Sequence, residues 1–223
     1  MALLDGDRGV VMQRDGRSYA ITPHLPCGIV SPELLRKIAD VAEKFGGTLK
    51  CTSAQRIAIL GLREQDIDLA WADLGGCRPG HMSGSVVRSV RACPGTQFCK
   101  RARQDSLSMG MELDRRYHGK KLPGKLKIGV SGCGNQCSET AIKDIGLVGG
   151  PGGWMVVVGG SCGFSPRFAQ ELTESEVSSD VALEIVEKTI RFFQQHAQEG
   201  ERLGDVIGRL GIVTLRQAVG LVR

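Results

Sequence analysis

Two pairs of cysteines carry the chemistry that this chain is equipped to do. Cys93 and Cys99 sit in ACPGTQFC with five residues between them, and Cys133 and Cys137 sit in GCGNQC with three. Both pairs lie in glycine- and proline-rich segments that can wrap a compact group. Thiolate sulfur is soft and selects iron–sulfur clusters, Cu(I) or zinc. A [4Fe–4S] cube takes four thiolates at its corners, so Cys93, Cys99, Cys133 and Cys137 are its expected ligands. Zinc knuckles pair their cysteines more closely than the first spacing does, which argues against zinc. The plain alternative is four unliganded core cysteines. Cys27, Cys51, Cys77 and Cys162 are scattered singly and read as small buried hydrophobes.

Basic residues crowd the segment between and around those pairs. Arg88, Arg91, Lys100, Arg101, Arg103, Lys125 and Lys127 fall there, opposed only by Asp105, Glu112 and Asp114. A nucleic acid is one partner for such a patch. Phe98 and Tyr117 are the only aromatics in the stretch, so a stacking platform for bases is poorly supplied. A small polyanion held next to a cluster suits the pattern better. Lys125 and Lys127 are two apart in an alternating segment, hence on one face if it is extended. Their plain alternative is a strand edge guarded by lysines.

The 223 residues can bury a sizeable core, and the net charge is +5. No apolar run is long enough to cross a bilayer. The first residues lack the basic start and apolar core of a signal peptide, so a cytoplasmic protein with reduced thiols is expected.

These residues must be positioned by elements that the pattern makes readable. Residues 10–22 read as a hairpin around Asp15-Gly16. Ser31-Pro32 starts a helix with Leu34, Leu35, Ile38, Val41, Ala42 and Phe45 on one face, and Gly46-Gly47 stops it. Strands TLKCT and QRIAILGL follow, then a short helix over 66–74. Residues 99–117 read as one helix starting at the second cysteine, and 125–130 as a strand running into the GCGNQC loop. IGLV and WMVVV bracket GGPGG, whose glycines fit a tight turn or the close approach of a bulky ligand. From Ser179 the chain reads as helical, with Val181, Ile185, Val186, Ile190 and Phe193 on a buried face. The tail from Glu201 is helical too. The expected class is α+β: a ferredoxin-like subdomain over 1–76, a cofactor domain over 77–165, and a helical segment over 166–223 packed on it.

With these motifs in this order, the chain resembles the siroheme-dependent sulfite and nitrite reductases, in particular the small assimilatory-type sulfite reductases. The two cysteine spacings, Arg88-Ser-Val-Arg-Ala-Cys-Pro-Gly leading into them, Leu122-Pro-Gly-Lys-Leu-Lys127 and Thr52-Ser-Ala-Gln-Arg56 carry the resemblance, over roughly residues 10–165. It implies two cofactors, a [4Fe–4S] cluster and a siroheme coupled through the sulfur of Cys137. Siroheme is rich in carboxylates, which makes Arg91, Lys100, Arg101 and Arg103 candidates for holding it. Arg88, Lys125 and Lys127 would face the substrate anion. Ala54 departs from the pattern, since many relatives have a catalytic arginine there. The role passes to Arg56, which would share that face if the strand is regular.

The implied reaction is the six-electron reduction of sulfite to sulfide, with nitrite reduction to ammonia at the same centre as the near alternative. A [4Fe–4S] electron carrier without siroheme is a rival of another class, and it leaves the anion-facing cations unexplained. Nothing resembles a flavin or nicotinamide site, so an external donor such as a ferredoxin or a reductase subunit is expected. No nucleic acid and no membrane are expected as partners. Large relatives fuse two copies of this unit around the siroheme, so a symmetric homodimer that completes each site is the favoured assembly.

Overall fold

Asp15 shows how locally the first part of the chain is specified. Its Oδ1 accepts from the N–H groups of Arg17 and Ser18 at 3.0 and 2.9 Å, closing the hairpin of β1 (Val10–Met12) and β2 (Ser18–Ile21). In α1 (Pro32–Lys44), Ser31 Oγ accepts from Leu34 N–H at 3.1 Å and Pro32 fills the first helical turn. Gly47 N–H closes the other end on the Ala42 carbonyl. A second hairpin, β3 (Thr48–Thr52) and β4 (Arg56–Arg63), completes an antiparallel sheet in the order β1-β2-β4-β3, and α2 (Ile67–Asp73) follows. Tyr19, Ile21, Ile38, Val41, Ile59, Leu62 and Ile67 fill the core of this unit. Leu35, expected on the buried face of α1, is exposed.

This computed structural model describes residues 3–222 and divides the chain into two compact units, 1–84 and 85–223. The second unit is built on a five-stranded sheet in the order β5 (Arg91–Ala92), β6 (Ile128–Ser131), β7 (Ile145–Gly150), β8 (Gly153–Val158), β9 (Gln170–Glu171). β5, β6 and β7 are parallel, and β8 and β9 run antiparallel to their neighbours. Between β5 and β6 lie α3 (Gly95–Phe98) and α4 (Ser106–Tyr117). The C-terminal part is α5 (Ser179–His196), α6 (Leu203–Leu210) and α7 (Ile212–Val219), with Ile185, Val186, Ile190 and Phe193 of α5 buried. Val181 is exposed, against the expected face. Among the described residues no helix is long and apolar enough to cross a membrane.

Several expectations are corrected here. The helix expected over 99–117 begins only at Ser106, after a non-helical stretch at 99–105 that follows α3, because that backbone is spent on another contact. Arg103 and Gln104 N–H donate to the Gly132 carbonyl at 2.6 and 3.1 Å, and Asp105 restarts the helix by accepting from Ser108 N–H at 3.1 Å. Residues 53–55 are the turn of the second hairpin, not strand, so Ala54 and Arg56 share no strand face. The GGPGG glycines form the expected tight turn, between β7 and β8, but the close approach is within the chain itself: a Cβ on Gly153 would collide with the Val177 carbonyl. Cys27 is buried and Cys77 partly so, but Cys51 and Cys162 are exposed rather than core residues.

Candidate active site

The cysteine loops leave the same end of the sheet. β5 and β6 are adjacent and parallel, with Arg91 opposite Gly129 and Ala92 opposite Val130. Cys93 directly follows β5 and Cys133 follows β6 by two residues, so both loops open at the carboxyl ends of neighbouring strands, where α/β sheets place ligands. Cys99 ends the short α3, its N–H donating to the Gly95 carbonyl. Cys93 Sγ is buried, accepts from Gly132 N–H at 3.1 Å and lies 3.1 Å from Ser106 Oγ. That ties the first loop to the second. Gly132 makes the approach possible, since a Cβ there would lie 2.7 Å from the Gln104 carbonyl oxygen and 3.2 Å from Ala102 Cβ. All four cysteines are free thiols, and Cys137 is exposed.

The cations assemble at the amino end of β6, the strand whose carboxyl end leads to Cys133. Val86–Arg88 run alongside 125–127: Arg88 N–H donates to the Leu126 carbonyl at 2.9 Å and Val87 bridges Leu126 in parallel. Leu126 and Ile128 are fully buried and Lys125 and Lys127 half-buried, the alternation of an extended segment. Regular β6 begins only at Ile128, so the lysines lie on the extended lead-in to it. Burial pushes the Lys125 ammonium below the ordinary lysine range, helped by the charges of Arg202 and Arg88 and opposed by Asp144. Lys127 is pushed down by burial, then by Lys125 and Arg202, again against Asp144. Arg88, Lys125 and Lys127 are therefore one electrostatic neighbourhood.

The other expected residues stand on other elements. Arg56 is in the first unit, buried, with Nη1 donating to the Gly80 carbonyl at 2.7 Å. Arg91 projects from β5 and pairs with Glu139 at 2.8 Å, which Lys143 also meets at 3.1 Å. Lys100, Arg101 and Arg103 are exposed on the loop after Cys99.

Asp144 and Arg202 lie outside the residues expected from the sequence. Asp144 is fully buried, and Arg202 grips it with Nε to Oδ1 at 2.9 Å and Nη2 to Oδ2 at 2.6 Å. Oδ2 also accepts the Lys127 N–H at 2.7 Å. Burial pushes the Asp144 carboxyl up, and the Arg202 fork and the Lys127 N–H pull it back. Lys125, Arg202, Arg167, Asp205, Cys162 and Phe164 line a cavity of about 330 Å³. The one readable signal was charge within an apolar context, Lys143-Asp144 immediately before IGLV.

The family model of the nitrite and sulphite reductase 4Fe-4S domain matches residues 83–222, and that of the nitrite/sulfite reductase ferredoxin-like half domain matches 11–76. The chain belongs to the nitrite and sulphite reductase family. It is 36% identical over 216 residues to an assimilatory-type sulfite reductase of Nitratidesulfovibrio vulgaris, covering 96% of this chain and 98% of that one. It is 35% identical over 202 residues to a nitrite reductase, NAD(P)H, of Bacillus subtilis, covering 90% of this chain and 25% of that protein. Among solved structures, dissimilatory sulfite reductase I has the same fold, with a TM-score of 0.83 and 15% identity over 92% of this chain and 70% of that one. Mycobacterium tuberculosis NirA gives a TM-score of 0.74 at 24% identity, covering 93% of this chain and 41% of that one.

The donor set suits the family's iron–sulfur cofactor. Four free thiols stand on two loops tied by an N–H···S bond, and a thiolate that accepts such a bond is stabilised as a cluster ligand. A carboxylate-rich macrocycle is suited as well. Arg91 Nε is buried without a hydrogen-bond partner, a donor that an added acceptor would satisfy.

Proposed function

We propose that this reductase converts sulfite to sulfide at a siroheme coupled to a [4Fe–4S] cluster. The observation that carries the reading is the set of three cations, Arg88, Lys125 and Lys127, on one backbone ribbon of the unit that also bears the four cysteines. The relative matched along nearly its whole length is named a sulfite reductase, whereas the nitrite reductases exceed this chain several-fold in length. Nitrite is the second reading, supported by the identity to the Bacillus subtilis protein across nearly all of this chain.

When bound, the cofactors would supply the electrons and an iron that takes the anion. The remaining work belongs to the chain. Cys93, Cys99, Cys133 and Cys137 would hold the cluster, and Cys137 would also couple it to the siroheme. Arg91, Lys100, Arg101 and Arg103 would pair with siroheme carboxylates, where the guanidinium fork favours bidentate contacts. Arg88, Lys125 and Lys127 bind and orient the oxyanion, and the two ammonium groups hold protons at Nζ for the oxygens that leave. Their lowered proton affinity suits donation. Arg56 carries the same role by resemblance alone. Electrons come from an external donor, a ferredoxin or a reductase subunit, and the enzyme works as a homodimer in the cytoplasm.

Reduced viologen with sulfite, under anaerobic conditions, tests the reaction. Six electrons consumed per sulfide released are expected; electron transfer without sulfide would overturn it, and faster ammonia release from nitrite would favour the second reading.

A further inference from the structure

The lysine pair rests on a buried ion pair from a distant part of the chain. Arg202 immediately precedes α6, 58 residues from Asp144, and its fork places two charge-assisted bonds on a carboxylate with no solvent exposure. The same carboxylate holds the Lys127 backbone N–H, and the Lys127 carbonyl accepts from Ile145 N–H at 3.2 Å. Lys127 is thereby fixed on both sides by the start of β7. Behind Arg202 the bonds continue. Asp205 Oδ2 accepts from Arg202 N–H at 2.9 Å, and Asp205 Oδ1 from Arg167 Nη2 at 2.6 Å. Arg202, Asp205 and Arg167 share their cavity with Lys125.

A buried ion pair is an expensive way to hold a fold, because apolar residues of the same shape serve stability as well or better. Its value here is placement. Asp144 offers two oxygens in fixed directions: the Arg202 fork fixes the carboxylate, and its Oδ2 in turn holds the segment that carries both lysines through the Lys127 N–H. We propose that Arg202, acting through Asp144, is a positioning residue for Lys125 and Lys127, so that the start of α6 sets the affinity of the anion site. The proposal rests on the reading of those lysines as anion-binding groups. Arg202 also contributes charge, since its guanidinium disfavours protons on both ammonium groups while Asp144 favours them. Arg88 and Lys143 are the other charges that act on the pair.

Two variants of the cofactor-loaded enzyme separate placement from general folding. The double variant Asp144→Asn/Arg202→Gln keeps a hydrogen-bonding frame and removes both buried charges. Arg202→Lys keeps the charge and loses the fork, which an ammonium cannot reproduce. Steady-state kinetics give sulfite KM and kcat. Limiting amine acylation, read by mass spectrometry, gives the reactivity of Lys125 and Lys127 against the exposed Lys50. In both variants the sulfite KM should rise about tenfold with kcat less affected, at an unchanged cofactor spectrum. Acylation of Lys125 and Lys127 should shift at least about twofold while Lys50 stays constant. Wild-type KM and wild-type acylation in either purified variant would overturn the proposal, as would a lower melting temperature or cofactor loss with acylation unchanged. Lys125→Met and Lys127→Met keep the underlying reading separate. If those two variants reduce sulfite normally while acylation shifts in the double variant, the anion-site reading fails and the clamp itself stands.

Discussion

Lys125 and Lys127 are half-buried, and the charge of Arg202 acts on both, so each gives up its proton more readily than the ordinary lysine at 10.5. The sign follows from the charged form being the one that binds anion. Sulfite binding should be intact below the lowered values and fail as pH rises through them, earlier than free lysine would predict. Fold stability moves the other way: the unfolded chain binds more protons in that window, so the lysines destabilise less as pH rises. A pH profile of kcat/KM with its alkaline limb below 10.5, abolished in both methionine variants, is the expected result. An alkaline limb unmoved by either substitution would assign it to other groups. At the cysteines, serine at 93, 99, 133 or 137 should lower bound iron and cluster absorbance, whereas serine at 27, 51, 77 or 162 should not. Iron retained in full by Cys137→Ser would sink the ligand assignment. These residues were legible because spacing and residue type encode a cluster directly. Asp144 and Arg202 were not, since a pair separated by 58 residues has no local pattern and each residue alone looks like an ordinary surface charge.

Gly132 decides how the two cysteine loops meet. A methyl group there would press on the Gln104 carbonyl, Ala102 and Gly95, and overpacking of this kind costs about 1–3 kcal/mol. Gly132→Ala should lower the melting temperature and the iron content together; a full complement of iron at wild-type stability would show that the loops have slack. Asp105→Ala removes the cap that restarts α4 and should cost about 1 kcal/mol, read from chemical denaturation. Arg202→Ala is expected to be costlier, about 3–5 kcal/mol, because it strands the Asp144 carboxylate. Elements whose signals are local were readable: the Asp15 hairpin, the Ser31-Pro32 start of α1 and the start of α5 at Ser179. The break at 99–105 was hidden because no glycine or proline marks it. It is imposed by the Gly132 carbonyl, a contact made 28 or more positions away in sequence, and Asp105 was an overlooked cap signal.

At the scale of the whole molecule, the α+β class and the ferredoxin-like first part were readable from alternating strands and capped helices. The homodimer is expected from the family resemblance alone, because symmetry leaves no periodic trace in a single chain. The proposed homodimer predicts that an inactive Cys137→Ser chain and an inactive Lys125→Met/Lys127→Met chain recover partial activity when mixed under conditions of subunit exchange. No recovery in a preparation that demonstrably exchanges subunits would confine each site to one chain. The central claim, an anion-reducing siroheme joined to the cysteine-held cluster, is tested most directly by the visible spectrum of anaerobically purified protein titrated with sulfite. Porphyrin-type bands beside the broad cluster absorption, shifting as sulfite is added, are the predicted result. Cluster absorption alone, unchanged by sulfite, would contradict the claim and leave an electron carrier.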